Sequence, residues 1–263
     1  GFEDLEAVAV TDGPGLVGAL LVGVSYAKGL AYRLGVPLIP VHHIEGHICS
    51  LYLTYEELEP PFLCLVVSGG HTHIVVVEDY GQYRLLGKTR DDAVGEAFDK
   101  TARVLGLGYP GGPKLERLAQ KGRPIYSYPR GFKGETHLDF TFSGLKTAVI
   151  NHKHQMDQNG EPYDKADIAA SFQAEAIAFL ADNTFEAAAR ENIDVIGIAG
   201  GVSANGALRE VFRRRARQAG VKLYLPDLRY CTDNAAMIGC AAAFEPPCSE
   251  PLRLNANPGK PLF

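Results

Sequence analysis

The chain has 263 residues, of which 46% are hydrophobic and 22% are charged. These ordinary fractions exclude a disordered, collagen-like, coiled-coil or disulfide-scaffold protein. The 26 basic and 31 acidic residues give a formal net charge of −5, so a nucleic acid would have to bind through a local basic patch or through a partner protein.

The cysteines and the apolar runs indicate the compartment. Five scattered cysteines include no C-x₂-C pair of the zinc-ribbon or redox type, which favours a reduced, cytoplasmic environment. No apolar run reaches the roughly 18 residues of a membrane span, and no basic segment opens the chain. We therefore expect neither a membrane span nor a signal peptide. The sequence opens almost directly into a strand, which we interpret as a chain cut inside a domain.

The first part of the chain alternates between strand and helix patterns. Its predicted elements are a buried strand at 7–11, a glycine turn at 13–15, a helix at 16–34, a strand at 37–41 and a helix at 43–55. Strand, glycine turn, helix and strand in this order are typical of a parallel sheet. Pro60-Pro61 then marks a lobe boundary.

The second part opens with an antiparallel meander and continues with helices. The predicted strands are 62–67, 72–78 and 83–89; the predicted helices are 93–105, 112–120, 142–152 and 164–191, with a loop at 121–139. A strand at 194–199, a helix at 205–219, a strand at 222–225 and a helix from about 232 follow. The tail after Phe244 has no periodicity.

Two strand–glycine–helix units resemble each other within the chain. Residues 13–20 follow the first strand, and residues 200–208 follow the strand at 194–199. Any two such units look alike, so the similarity is equally consistent with chance and with a duplicated two-lobed fold that holds a ligand in its cleft.

His43 and His47 are the best candidates for metal ligands. Four residues apart on a predicted helix, they project from one face, and neutral imidazole suits zinc or ferrous iron. A zincin would need its glutamate one residue after the first histidine. Glu45 lies two residues after His43, about 200° round the helix, and points away.

A two-histidine site needs a further ligand, for which a carboxylate is typical. Asp233 lies at the start of the last predicted helix. From spacing alone, helix capping is the preferred interpretation, because Thr232, Asp233 and Asn234 are all good capping residues.

Glycine turns are the candidate anion sites. Ser68-Gly69-Gly70-His71 lies in a hairpin, and Gly200-Gly201 precedes a helix, so backbone N–H groups at both turns can hold a phosphate. Neither turn has a P-loop or dinucleotide-binding pattern. Together they predict a nucleotide that is held from two sides.

A basic and aromatic stretch follows the fourth predicted helix. Lys121, Arg123, Arg130 and Lys133 alternate with Tyr126, Tyr128 and Phe132. Such a patch is compatible with contacts to an RNA backbone and with base stacking.

Seven motifs, in one order, resemble the TsaD family of tRNA adenosine threonylcarbamoyltransferases, once described as O-sialoglycoprotein endopeptidases, and its bacterial branch in particular. The motifs are His42-His43-Ile44-Glu45-Gly46-His47, Val67-Ser68-Gly69-Gly70-His71-Thr72, Ala97-Phe98-Asp99-Lys100, Gly108-Tyr109-Pro110-Gly111-Gly112-Pro113, Phe142-Ser143-Gly144-Leu145-Lys146-Thr147, Gly200-Gly201-Val202-Ser203-Ala204-Asn205 and Thr232-Asp233-Asn234-Ala235-Ala236-Met237. Seven ordered motifs are far more specific than any one of them.

The resemblance implies an α/β fold of the actin/Hsp70/sugar-kinase (ASKHA) type, with two lobes built on central mixed sheets flanked by helices. Residues 1–61 and 240–263 then form the N-terminal lobe. Residues 62–239 form the C-terminal lobe, with a helical insertion at about 112–190. The family normally has a first strand and a phosphate loop before this chain begins, so we expect the N-terminal lobe to be incomplete, and the tail at 245–251 looks spliced.

The resemblance also assigns site residues. It implies one divalent metal ion, Fe²⁺ or Zn²⁺, on His43, His47 and Asp233. The positions that match nucleotide and substrate contacts are Val66, Val67, Ser68, Gly69, Gly70, Asp99, Gly112, Glu116 and Asn205.

The implied reaction transfers the threonylcarbamoyl group of threonylcarbamoyl-adenylate to N6 of the adenosine next to the anticodon (position 37), in tRNAs that read codons starting with A, and releases AMP. The adenylate is already activated, so no protein nucleophile is assigned. The implied partners are tRNA, a paralogous subunit of the same fold and a small ATPase. Two alternatives stay open: a metal-dependent glycoprotein endopeptidase and a non-catalytic regulatory subunit of the same fold.

Overall fold

A computed structural model describes residues 1–132 and 136–262 of the chain. The strands are β1 (Val8–Gly13), β2 (Leu38–His42), β3 (Phe62–Val67), β4 (Thr72–Asp79), β5 (Gln82–Lys88), β6 (Val195–Ala199) and β7 (Lys222–Tyr224). The helices are α1 (Val17–Leu34), α2 (His43–Cys49), α3 (Val94–Val104), α4 (Gly111–Ala119), α5 (Ser143–Asn159), α6 (Lys165–Glu191), α7 (Gly206–Ala219), α8 (Leu228–Cys231) and α9 (Ala235–Ala242).

Within the described residues the strands form two sheets. β1 and β2 pair in parallel, as the strand–helix–strand order predicts. The larger sheet has the order β5-β4-β3-β6-β7, with an antiparallel meander from β3 to β5 and parallel pairing of β3, β6 and β7. The fold is therefore mixed α/β with sheets flanked by helices, which confirms the predicted class.

The central strand β3 is buried on both faces because each face meets a different apolar cluster. Leu63, Leu65 and Val67 pack with the helices α3 to α7 in the main core. The alternate residues Phe62, Cys64 and Val66 pack against α2 on the other face. A six-residue run without polar positions is the sequence expected of such a strand.

The predicted helix at 43–55 is too long. α2 ends at Cys49, and residues 51–54 form turns in which Leu51 and Tyr52 donate backbone hydrogen bonds three residues back, to Ile48 and Cys49. The predicted helix at 142–152 is too short, because α5 continues to Asn159 through a polar segment. An ion pair between Lys153 and Asp157, 2.6 Å apart, supports that extension.

Other boundaries agree to within a few residues, including α6, which Asp164 caps through Ala166 N. The loop at 121–139 has no helix or strand in its described part. Across residues 1–132 and 136–262, no helix is long and apolar enough to cross a membrane.

Candidate metal centre and nucleotide cleft

His43 and His47 project from one face of α2, as their spacing predicts. The helix starts directly after β2, and Nδ1 of His42 caps it by accepting a hydrogen bond from Ile44 N at 3.2 Å. Ile44 and Ile48 bury the opposite face in the core. The two imidazole ring centroids are 4.7 Å apart, close enough to share one ion.

Asp233 completes this cluster and does not cap α9. Asn234 is the cap, since its Oδ1 accepts a hydrogen bond from Met237 N at 2.9 Å. The Oδ1 atom of Asp233 lies 3.3 Å from Nε2 of His47 and 3.6 Å from Nε2 of His43. The capping interpretation of Asp233 is therefore wrong, because the next residue takes that role.

The donor set fits a divalent metal ion. One ligand atom from each of His43, His47 and Asp233 lies within 4.8 Å of the others, and the described residues contain no second cluster of this kind. Burial and the nearby His47 lower the pKa of His43, and the hydrogen bond from His47 lowers the pKa of Asp233. Both shifts favour the deprotonated forms that bind metal. Two imidazoles and one carboxylate suit zinc or ferrous iron.

Glu45 faces away from this cluster. Its side chain is 1% exposed and accepts a hydrogen bond from Tyr83 Oη at 2.9 Å. Burial, and then the neighbouring Glu245, raise the pKa of Glu45 to about 8. A carboxyl group held on the core side of α2 cannot activate a water molecule on the histidine side, so the geometry argues against a zincin-type peptidase.

A cavity of about 220 Å³ lies at the end of β3 and the start of α4 and α7. Five predicted substrate residues line it: Gly69, Asp99, Gly112, Glu116 and Asn205. Gly95, Phe98 and Val202 also line the cavity and were not predicted as site residues. Phe98 and Val202 belong to two of the motifs quoted above, and apolar walls with a few polar groups are typical of ligand sites.

The other predicted substrate residues do not line the cavity. Val66 and Val67 are fully buried in the two cores. Ser68 closes the β3–β4 turn: its Oγ accepts a hydrogen bond from His71 N at 3.1 Å, and its N donates to His71 O at 2.8 Å. Gly70 is exposed, as is Gly69 on the cavity wall, and a Cβ atom at either would meet nothing within 4 Å. This open turn allows a ligand to approach the backbone closely.

Two predicted acidic residues, Asp99 and Glu116, also connect the elements around the cavity. Asp99 Oδ1 accepts hydrogen bonds from the N–H groups of Gly111 and Gly112, at 2.8 and 2.9 Å. Glu116 Oε1 accepts one from Gly206 N at 2.7 Å. Within residues 1–132 and 136–262, each of these two carboxylates accepts hydrogen bonds through one oxygen only.

Both polar atoms of the Asn205 side-chain amide have hydrogen-bond partners within the protein. Its Oδ1 caps α7 through Leu208 N, and its Nδ2 donates to Oε1 of Gln173, both at 2.9 Å. Asn205 is buried. Its place in the cavity wall is therefore fixed by the protein itself.

His71 connects the glycine turn with the metal cluster. It follows Gly70 directly, and burial lowers its pKa to about 4, helped by His43 and His47. An uncharged imidazole therefore follows the glycine turn, within electrostatic range of His43 and His47.

The basic and aromatic stretch is less open than predicted. Arg130 forms ion pairs with Glu175 and Asp182, at 2.8 and 2.5 Å. Tyr128 is buried, and its hydroxyl lies 2.9 Å from Nδ1 of His152, so it cannot stack on a base. Lys133 lies outside the described residues. Lys121 and Arg123 remain exposed.

Comparison with known proteins gives a consistent result. The family described as "TsaD: tRNA N6-adenosine threonylcarbamoyltransferase" matches residues 1–240. Proteins named tRNA N6-adenosine threonylcarbamoyltransferase from Clostridium botulinum and Clostridium perfringens are 53% and 54% identical over 245 residues, which is 93% of this chain and 72% of each relative.

Solved structures with a similar fold are more distant. Full-length HypF in a phosphate- and nucleotide-bound form superposes with a TM-score of 0.66 at 17% identity, over 90% of this chain and 46% of that one. HypF of T. kodakarensis gives 0.62 at 17% identity, over 89% and 39%. The chain thus spans less than half of each HypF structure, and these likenesses concern the fold alone.

Proposed function

Because the chain belongs to the TsaD family of tRNA N6-adenosine threonylcarbamoyltransferases, we propose that it transfers the threonylcarbamoyl group from threonylcarbamoyl-adenylate to N6 of the adenosine next to the anticodon, with release of AMP. The observation that carries this proposal is the convergence of His43, His47 and Asp233 within 4.8 Å. A cavity lined by glycines, by apolar side chains and by the acidic residues Asp99 and Glu116, which suits an adenylate, supports it.

The reaction needs no protein nucleophile. The adenylate is a mixed anhydride, so N6 attacks its carbonyl carbon, a C–N bond forms, and the C–O bond to the phosphate breaks. N6 releases one proton to solvent, and AMP leaves with the electron pair of the broken bond. The protein has to hold the two reactants in register and to stabilise the charge that develops on the phosphate.

We assign these tasks to two groups of residues. The N–H groups of Gly69 and Gly70 hold the phosphate, since the Ser68 N–H is taken by His71 O. The second carboxylate oxygens of Asp99 and Glu116 receive ribose hydroxyl groups. Gly112 and Asn205 shape the wall of the pocket, while Val66 and Val67 fix the end of β3.

The metal is assigned to His43, His47 and Asp233. An Fe²⁺ or Zn²⁺ ion bound there would supply a Lewis acid for the threonylcarbamoyl group. The side chains contribute by their protonation state, since the pKa values of His43 and Asp233 are both lowered.

We further propose that tRNA is bound with the help of other proteins, a paralogous subunit and a small ATPase, in the cytoplasm. The net charge of −5 supports this, and the ion pairs of Arg130 with Glu175 and Asp182 remove one cation from the predicted patch. Exposed apolar side chains on α1 (Val17, Val22 and Tyr26, at 54%, 73% and 69%) support a protein partner.

The proposed lobes are residues 1–61 with 240–263, and residues 62–239 with an insertion at about 112–190.

The test measures modified adenosine directly. The protein and its helper proteins are incubated with threonylcarbamoyl-adenylate and unmodified tRNA, and the nucleosides are analysed by mass spectrometry. We expect His43→Ala and Asp233→Ala to lower the yield at least about 100-fold. His154→Ala, which removes an exposed histidine of α5, should keep the wild-type yield. Equal yields from all variants would refute the role given to the cluster.

A further inference from the structure

The segment that ends the described chain lies across the small sheet next to the metal cluster. Residues 254–260, here called the C-terminal strap, meet β1 where it ends: Asn257 N donates to Asp12 O at 2.7 Å, and Gly15 N donates to Pro258 O at 3.2 Å. A Cβ atom on Gly13 would lie 2.1 Å from Asn257 O. The strap is therefore seated against the backbone of β1.

An ion pair and a histidine fix the end of the strap. The Lys260 ammonium donates to both carboxylate oxygens of Asp12, at 2.8 and 3.0 Å. The backbone carbonyl of Lys260 lies 3.0 Å from Nε2 of His42. The strap thus ends on the residue that directly precedes the first predicted metal ligand.

The two partners of His42 determine its tautomer. Its Nδ1 faces the N–H of Ile44, which can only donate, and its Nε2 faces a carbonyl oxygen, which can only accept. The ring therefore carries its proton on Nε2 and keeps the lone pair on Nδ1. One uncharged imidazole joins the strap to the first turn of α2.

This link matters because His47, one of the two ligands on α2, has no hydrogen bond at its second ring nitrogen within the described part of the chain. A histidine that binds a metal is usually oriented by a hydrogen bond from its second ring nitrogen. Nδ1 of His47 is buried and has no hydrogen-bond partner among the described residues. Its ring direction is then set by the backbone of α2, a helix of seven residues whose first turn is held by His42.

We propose that His42 is a positioning residue for the metal cluster, and that the C-terminal strap sets the orientation of His43 and His47 through it. The inference rests on the metal site proposed above. It assigns a role in that site to a segment that lies more than 200 residues from the ligands of α2 in sequence.

Two substitutions separate the two hydrogen bonds of His42. His42→Asn keeps an acceptor where Nδ1 caps Ile44 N but is too short to reach the Lys260 carbonyl. His42→Ala removes both bonds. Lys260→Ala is the control for the strap, because it removes the ammonium group and leaves the carbonyl oxygen.

The experiment titrates metal-free protein with Co²⁺ and records the visible absorption spectrum, which reports ligand geometry, together with AMP affinity as a measure of the intact cleft. We expect His42→Ala to weaken Co²⁺ binding about 10- to 100-fold and to change the spectrum, with AMP affinity unchanged. The His42→Asn variant should bind Co²⁺ more weakly than the wild-type protein. The Lys260→Ala variant should bind Co²⁺ more strongly than the His42→Ala variant.

Each outcome decides a specific point. Wild-type affinity and spectrum in His42→Ala would overturn the proposal. Wild-type behaviour in His42→Asn would show that capping alone matters and would refute the role of the strap. A parallel loss of AMP and Co²⁺ binding would mean general unfolding and would also count against it. If wild type and His43→Ala give the same spectrum, the proposed metal site itself fails.

Discussion

Gly95 and Gly200 bring backbone from two other elements against the end of β3. A Cβ atom on Gly95 would lie 2.5 Å from Ser68 O, and one on Gly200 would lie 2.4 Å from Val67 O. Gly200 also has a φ of 92°, which side chains rarely adopt. These contacts hold the turn at Ser68–Gly70 close to α3 and to the start of α7, where the cavity forms.

We therefore expect Gly95→Ala to displace the glycine turn, since the clash is with backbone and cannot be relieved by a rotamer change. The free energy of unfolding should fall by about 1–3 kcal/mol, and AMP affinity should fall with it, as measured by urea denaturation and calorimetry. Gly29→Ala is the matched control, because its Cβ would meet nothing within 4 Å in the helix α1. That variant should be unchanged or slightly more stable. Full AMP affinity in Gly95→Ala would contradict this view of the cleft.

The three candidate metal ligands differ in how far the sequence alone predicts them. The spacing of His43 and His47 was sufficient to place both on one face, because a helix of any register keeps residues four apart together. Asp233 could not be placed in this way. Three adjacent residues can each cap a helix, and only the backbone path into α9 decides that Asn234 does so and that Asp233 faces the histidines. The family motifs supplied that assignment.

At the scale of elements, the N-termini of α4 and α7 meet at the cavity. At the start of α4, the Gly111 N–H donates a hydrogen bond to Asp99. At the start of α7, Asn205 accepts one from Leu208 N and Glu116 accepts one from Gly206 N. Residues predicted as ligand contacts therefore also stabilise the elements that carry them. Their substitution changes stability as well as binding, and a test of their role has to measure both.

Asn205 allows the two effects to be separated. Asn205→Ala should lower the free energy of unfolding by about 0.5–2 kcal/mol through loss of the cap, and by more because the buried Gln173 loses its donor. Asn205→Asp keeps the capping oxygen but turns the other atom into an acceptor, so the Gln173 amide has to turn over and donate to it. With the cap kept, its stability should lie between Ala and wild type. Urea denaturation measures the order of the three proteins. An equal loss in Asp and Ala would show that the cap contributes nothing.

Element ends were predicted less well than element types, for physical reasons. α5 continues seven residues beyond its predicted end because local ion pairing, and not apolar periodicity, sustains it until Gly160, whose φ is 67°. α2 stops at Cys49 although apolar residues continue, because the chain turns to enter β3. Such stops depend on tertiary packing that no local pattern encodes.

At the scale of the whole molecule, the order of the strands can be predicted from the sequence only in part. Local rules predict the β3–β4–β5 meander and the parallel β1–β2 pair, since each joins neighbours in sequence. The pairing of β3 with β6 joins residues more than 100 positions apart, and the strap returns from the far end of the chain to β1. Contacts of that range depend on packing, and no local periodicity reports them.

A group of buried and half-buried histidines gives the folded molecule a predictable response to acid. The pKa values of His42, His71 and His73 are each lowered to about 4, mainly by burial. An unfolded chain takes up these protons near pH 6.5 and the folded chain only near pH 4. The stabilisation is therefore complete above pH 6.5 and is lost as the pH falls from 6.5 towards 4.

His73→Gln tests this response, because His73 lies on β4 and outside the metal cluster. Between pH 4.5 and 6, each such histidine adds about 1 kcal/mol per pH unit to the slope of unfolding free energy against pH. We expect the variant to lose about that much slope, measured by urea denaturation at several pH values. At pH 7.5 both states are uncharged at this position, so any offset there reports lost packing and is separated from the slope. Identical slopes for the two proteins would mean that His73 takes up its proton equally well in the folded and the unfolded chain.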